Sequence, residues 1–273
     1  GSNTRYHPMT NSSPAPSPNP SLNPLAGSLN PLLQNLRLSR MRHHWSDFEQ
    51  QATQHHWSYA QFLLALCELE VDHREQNRIK RALSEAKLPT GKSFSTFNFN
   101  HCPQLNPTPL MQLAQDPAWL GRAENLLIFD PSGTGKTHLA AALGRAAIDQ
   151  GKRVRFASAT TLVQELQQAK AQLLLPIALT KLDRFDLLIV DDLGYVKKSE
   201  AETSVLFELI AHRYERNSLL ITANQPFSQW DDIFADAMMT VAAVDRLVHH
   251  ALIIDIKADS FRQQAALKRT QAP

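Results

Sequence analysis

The sequence predicts an α/β protein built on a central parallel sheet flanked by helices, preceded by a small all-helical N-terminal domain. Three observations lead there. From Asn125 onward, short aliphatic runs alternate with helical stretches of about a dozen residues. Runs such as Leu187 to Val190 carry no polar residue, as befits strands buried on both faces. Between Leu32 and Gly91, by contrast, apolar residues recur at helical spacing.

Residues 1–31 read as a disordered tail of Pro, Ser and Asn, with too little apolar surface to offset the entropy of ordering. Residues 1 to 8 precede the first methionine, Met9, and are set aside from the fold. Residues 32–91 form the helical domain. Met41, Trp45, Phe48 and Ala52 mark one helix, and Ser58-Tyr59-Ala60-Gln61 has the capping-box form that opens a second. Phe62, Leu66, Leu69, Ile79 and Leu83 continue that second helix, and Pro89-Thr90-Gly91 stops it. Phe94, Phe97 and Phe99 then belong to a connector that packs on the next domain as core. Residues 92–262 form the α/β domain and 263–273 a C-terminal tail. Its strands are Leu126 to Phe129, Val154 to Ala157, Asp186 to Val190, Leu219 to Ala223 and Leu252 to Ile256, and its first helix runs from Thr137 to Asp149 and closes at Gly151.

At 273 residues and 43% hydrophobic content the chain can fill such a core, while a net charge of +2 decides nothing about partners. Cys67 and Cys102 are far apart and lack metal-ligand spacing, which fits a reducing compartment. No apolar run approaches the roughly 20 residues that span a bilayer. The expectation is a cytoplasmic protein with no membrane partner.

Two runs carry chemistry. The first is Pro131-Ser132-Gly133-Thr134-Gly135-Lys136-Thr137, set between a strand and a helix. Backbone N–H groups and the positive end of the helix converge there on one point, which suits a triphosphate. Gly133 and Gly135 allow close approach, Lys136 reaches the β and γ phosphates, and the Thr137 hydroxyl ligates Mg²⁺. The expected substrate is ATP. The position before Pro131, where glycine normally opens such a loop, is Asp130. Aspartate tolerates a left-handed turn, but at about 8 Å its charge repels a phosphate by about 2 kcal/mol, or thirtyfold in affinity.

The second run ends in Asp191-Asp192, at the C-terminal end of a buried strand, where open α/β sheets bind ligands. Asp191 is the candidate for holding Mg²⁺, mainly through water, and Asp192 for orienting or deprotonating the attacking water. Asn224, after the strand Leu219 to Ala223, is placed to hydrogen-bond the same water.

With these residues in view, the run from Phe94 to Arg262 resembles the AAA+ ATPases, and more narrowly the IstB-like transposition helpers of bacterial insertion sequences. The resemblance rests on Gly133 to Ala140, Leu187 to Tyr195, Leu220 to Phe227, Ala243 to His250 and Asp259 to Arg262, and it extends to Arg81 through Pro89. It implies an ATPase with a P-loop AAA+ core, and a nucleotide contact set that includes His138. It also implies a homo-oligomer with ATP at subunit interfaces, where Arg246 acts in trans as an arginine finger. Arg262 would sense phosphate within the same subunit. The implied partners are double-stranded DNA and a cognate transposase. Related DnaC-like helicase loaders are the nearest alternative, and Asp130 supports a third reading, a scaffold that does not hydrolyse ATP.

Two sets of arginines suit DNA phosphates: Arg37, Arg40 and Arg42 around the first helix, and Arg74, Arg78 and Arg81 along the second. Glu70 and Glu85 are spaced to pair with Arg74 and Arg81, which would make the second set a solvated ion-paired face. The pairs His43-His44, His55-His56 and His249-His250 are expected to point apart on their helices rather than hold zinc.

Overall fold

A computed structural model describes residues 24–256 apart from 104, 132, 195–198, 227–228 and 231–235. The chain divides into two compact units, residues 1–76 and 77–273.

The first unit contains helices α1 (Pro24–Asn35), α2 (Ser39–Gln54) and the first part of α3 (Tyr59–Ala86). Its core is Leu33, Met41, Trp45 and Leu66, with Leu29, Phe48 and Phe62 packed against them. Residues 24–31, expected as part of a tail, lie in helix α1. Helix α1 already begins at Pro24, because Leu29 and Leu33, one turn apart, both have a core to enter. The capping box at α3 forms as expected, with Ser58 N–H donating to Gln61 Oε1 (2.8 Å) and Gln61 N–H to Ser58 Oγ (3.2 Å).

Glu70 of α3 is buried and caps α2 from outside: its Oε2 accepts from the N–H groups of Arg40 (2.8 Å) and Met41 (3.3 Å). Arg74 pairs with its other oxygen at 3.2 Å. Burial pushes this carboxyl upward, but the two backbone donors and Arg74 outweigh it and hold it below its ordinary value of 4.5. The resulting stabilisation is complete above the unfolded-state value and is lost as pH falls through the lower folded one. Glu70→Ala is expected to cost about 1–3 kcal/mol at neutral pH and to leave the Arg40 and Met41 amides open to hydrogen exchange. The penalty should shrink in acid.

The domain boundary expected at residue 91 falls instead after Gln76, inside α3. Ile79, Ala82, Leu83 and Ala86 of the same helix bury in the second unit's core, so the α/β unit claims the last turns. That unit adds α4 (Pro107–Gln115) and α5 (Ala118–Gly121), which the connector's composition did not announce, before the first strand.

The sheet holds five parallel strands: β1 (Asn125–Phe129), β2 (Val154–Ser158), β3 (Leu187–Leu193), β4 (Ser218–Ala223) and β5 (Ala251–Asp255), in the order β2-β3-β4-β1-β5. All five coincide with the expected runs to within a few residues. Alternation fills two cores. Leu127, Phe129, Leu188, Val190, Leu219 and Ile221 pack on one face, Leu126, Ile128, Leu187, Ile189 and Leu220 on the other. The first face is covered by α7 (Ala159–Ala171), α8 (Leu175–Leu182), α9 (Glu200–Arg213) and α10 (Ala237–Val248), the second by α6 (Lys136–Asp149). Helix α6 approaches closely at Gly144, where an added Cβ would lie 2.7 Å from Ile189 Cδ1. The three strands β3, β4 and β1, adjacent in that order, deliver the residues of the next section.

Candidate active site

The loop from β1 to α6 bends through Gly133 (φ 92°) and Gly135 (φ 101°). At Gly135 a Cβ would press on the ring of Phe97 at 3.2 Å, adding crowding to a conformation that already favours glycine. Among the described residues with positive φ, Asp130 does not appear. Its place in the loop asks nothing left-handed, and the tolerance expected of aspartate is not drawn on. Its side chain is 6% exposed and its N–H donates to Ala223 O at 3.3 Å. Lys136, equally buried, folds its ammonium onto the carbonyls of Asp130 (2.5 Å) and Pro131 (2.7 Å). Thr134 Oγ1 donates to Pro131 O at 3.0 Å. Ser132 lies outside the described residues.

A cavity of about 420 Å³ opens beside the loop, lined by Phe97, Asn98, His101, Cys102, Gly135 and His138 among others. The connector forms its wall because His138 Nε2 lies within hydrogen-bonding distance of Ser93 O (3.0 Å) and Thr96 Oγ1 (3.1 Å). Phe97 packs edge-on against His138 and Phe99. The three phenylalanines expected as core do pack there, and Phe97 lines the cavity as well. Cys102 Sγ donates to Thr134 O at 3.7 Å, and burial, helped by the Asp130 charge, pushes its thiol upward, keeping it protonated. A larger cavity, about 720 Å³, lies between α7 and the start of α9 and contains none of the residues singled out from the sequence.

The end of β3 supplies the carboxylates. Asp191 is 9% exposed; its Oδ2 accepts from Thr137 Oγ1 (3.0 Å) and its Oδ1 from Thr222 Oγ1 (2.7 Å). Burial raises its pKa, the two hydroxyls act against that, and the Asp192 charge adds to the rise. The β3–β4 register shifts between Val190 and Leu193, and within that bulge Asp192 has φ 65°. The bulge turns Asp192 out to solvent, where its Oδ1 accepts from Asn224 Nδ2 at 2.8 Å. Asn224 thus holds the carboxylate itself. Thr222 was missed in the sequence, although a polar residue within the otherwise apolar run Leu219 to Ala223 was the available signal. The oxygens of Thr137 and Asp191, side by side in a buried corner, are hard donors of the kind Mg²⁺ takes.

Other expected residues are placed elsewhere. Arg246 lies over the Phe207 ring, 5.3 Å from its centroid, and donates to Ala242 O at 2.8 Å. Among the described residues it has no hydrogen bond or ion pair to Lys136, Asp191, Asp192 or Asn224. Arg262 lies outside the described residues. Arg42 bonds Gln34, Arg40 offers its backbone N–H to Glu70, and Arg74 pairs with Glu70 and reaches the Arg37 carbonyl. Arg78 donates to Ile148 O at 3.0 Å and is half-buried. Arg74 belongs to the first unit and Arg78 and Arg81 to the second. Glu85 pairs with Arg153 (3.3 Å) and Arg184 (3.1 Å), which the fold brings to it, rather than with Arg81. His249 and His250 do not point apart: α10 ends at Val248, and their ring centroids are 4.1 Å apart.

Known proteins agree with this geometry. The family described as IstB-like ATP binding protein matches residues 31–269. An insertion-sequence ATP-binding protein of Sinorhizobium fredii (strain NBRC 101917 / NGR234) is 49% identical over 237 residues, covering 87% of this chain and 80% of the relative. The IS21 ATP-binding protein of Pseudomonas aeruginosa is 34% identical over 231 residues, 85% and 87% of the two chains. Among solved structures, AMPPCP-bound DnaA from Aquifex aeolicus superposes with TM-score 0.52 at 20% identity over 68% of this chain, which spans 56% of that one. Domain III of Thermotoga maritima DnaA gives TM-score 0.52 at 17% identity, over 68% and 78%. These two likenesses are of fold, and the fold is the P-loop AAA+ core. Among the described residues no helix is long and apolar enough to cross a membrane. With its loop, its carboxylates and its relatives in agreement, this chain belongs to the IstB-like ATP-binding family.

Proposed function

We propose that the protein binds and hydrolyses ATP, and that it does so as an oligomeric helper of insertion-sequence transposition on duplex DNA, recruiting a transposase. One observation carries the ATPase reading: the Thr137 hydroxyl and Asp191, far apart in sequence, meet at 3.0 Å. The phosphate loop and the strand end therefore form one site.

In this reading the loop from Pro131 to Thr137 cradles the phosphates, Lys136 leaves the loop carbonyls for the β and γ oxygens, and the cavity by Phe97 and His138 takes the base. Thr137 and Asp191 would hold Mg²⁺, which would supply positive charge to offset that of the phosphates. Asp192, aimed by Asn224, takes the proton of the attacking water. Arg246 exchanges its Phe207 contact for the phosphate of a neighbouring subunit, and Arg262 contacts the phosphate within its own. The helical unit, with Arg37, Arg40 and Arg42, and the α/β unit, with Arg81, meet duplex phosphates; Arg74 and Arg78 contribute less, being engaged already. The relatives are named insertion-sequence ATP-binding proteins, which supports the transposition role.

The test is ATP hydrolysis and gel filtration of the full chain with ATP, with and without duplex DNA. Hydrolysis together with ATP-dependent assembly on the duplex is expected. A chain that neither binds nor hydrolyses ATP under any of these conditions overturns the reading.

Asp130 favours a weakened site. Asp130 is buried, and its charge already acts on Cys102 beside the loop. Asp130→Gly is expected to tighten ATP binding by about tenfold to thirtyfold. An unchanged dissociation constant would remove Asp130 from the account.

A further inference from the structure

We propose that Thr222 is a positioning residue that sets both carboxylates of β3 for the reaction, an inference resting on the ATPase reading above. Thr222 stands in β4 between β3 and β1, is 1% exposed, and has Leu219, Leu220, Ile221 and Ala223 as its strand neighbours. A hydroxyl in such a strand is costly unless it is bonded. Here it is bonded twice, to the two residues that matter most: the Asp192 N–H lies 2.8 Å from Thr222 Oγ1, and Oγ1 lies 2.7 Å from Asp191 Oδ1.

The polarity of this pair is forced. An amide N–H can only donate, so Oγ1 accepts from Asp192 and its single proton goes to Asp191. Two consequences follow for the site. Asp191 has one oxygen engaged from behind and presents Oδ2 toward Thr137. The bulge, with Asp192 at φ 65°, is pinned by its own N–H, which fixes where the Asp192 carboxylate meets Asn224. One side chain therefore registers the metal-holding and the water-activating carboxylates against each other.

The test uses the full chain and two variants, Thr222→Val, which keeps shape and removes the hydroxyl, and Thr222→Ser, which keeps the hydroxyl. The readouts are kcat, KM, and binding of a fluorescent non-hydrolysable ATP analogue titrated with Mg²⁺ and in EDTA. For Thr222→Val, kcat is expected to fall by about tenfold to a hundredfold, since small misplacements at a reacting centre cost that much. The Mg²⁺ concentration for half-maximal analogue binding should rise by about tenfold, with affinity in EDTA within about twofold of wild type. Thr222→Ser should restore both to within about threefold. A hydroxyl serving only the fold would lower thermal stability without moving the Mg²⁺ requirement, and that result overturns the proposal. So does a serine variant as impaired as the valine one. Lys136→Ala identifies the other failure: if wild type binds the analogue no better than Lys136→Ala, the ATPase reading falls and takes this inference with it.

Discussion

Asp192→Asn is expected to lower ATP turnover by about a hundredfold to ten-thousandfold, with ATP affinity changed by no more than about threefold. Asparagine keeps the size of the side chain and removes its ability to accept the proton of water. Binding should survive, because Asp192 is exposed and its contacts are with Asn224 and Thr222, not with Thr137 or Lys136. Steady-state kcat set beside an equilibrium dissociation constant separates the two effects. A fall of less than about fivefold in kcat would mean that another group activates the water.

Arg213→Ala is expected to cost about 3–5 kcal/mol of stability, read from denaturant unfolding. Arg213, at the end of α9, is 1% exposed and donates to three carbonyls, Leu182, Phe185 and Ser218, each at 3.0 Å. Those carbonyls close α8, precede β3 and open β4, so one guanidinium joins three segments. Truncation leaves all three acceptors buried without this donor. Burial lowers the Arg213 pKa to about 10, well below the ordinary arginine value, against the opposing charges of Asp183 and Asp186. The group is charged in both folded and unfolded chains below that value, so the loss should be the same at pH 6 and pH 9. A wild-type unfolding midpoint in the variant would show that the carbonyls find other donors.

The central strands were legible as aliphatic runs buried on both faces, and a run such as Leu187 to Val190 has few other ways to be buried. The phosphate loop and the two aspartates were legible because their chemistry needs those residue types in those places. What escaped depended on neighbours distant in the chain. Glu85 has a helical partner at the right spacing in Arg81, but Arg153 and Arg184 reach it across the fold. Thr222 reads as an ordinary strand threonine until β3 lies beside it. The end of the first unit inside α3 was hidden because the apolar positions before and after Gln76 follow one helical rhythm while entering two cores.

The left-handed backbone at Asp192 narrows the alphabet at that position before chemistry has any say. Aspartate, asparagine and glycine enter that conformation at smaller cost than glutamate, the other carboxylic acid, although Glu215 of this chain adopts it at φ 57°. The bulge thus favours the shorter of the two carboxylic acids. Lengthening this side chain by one methylene would ask the backbone to move, and with it the N–H that Thr222 holds.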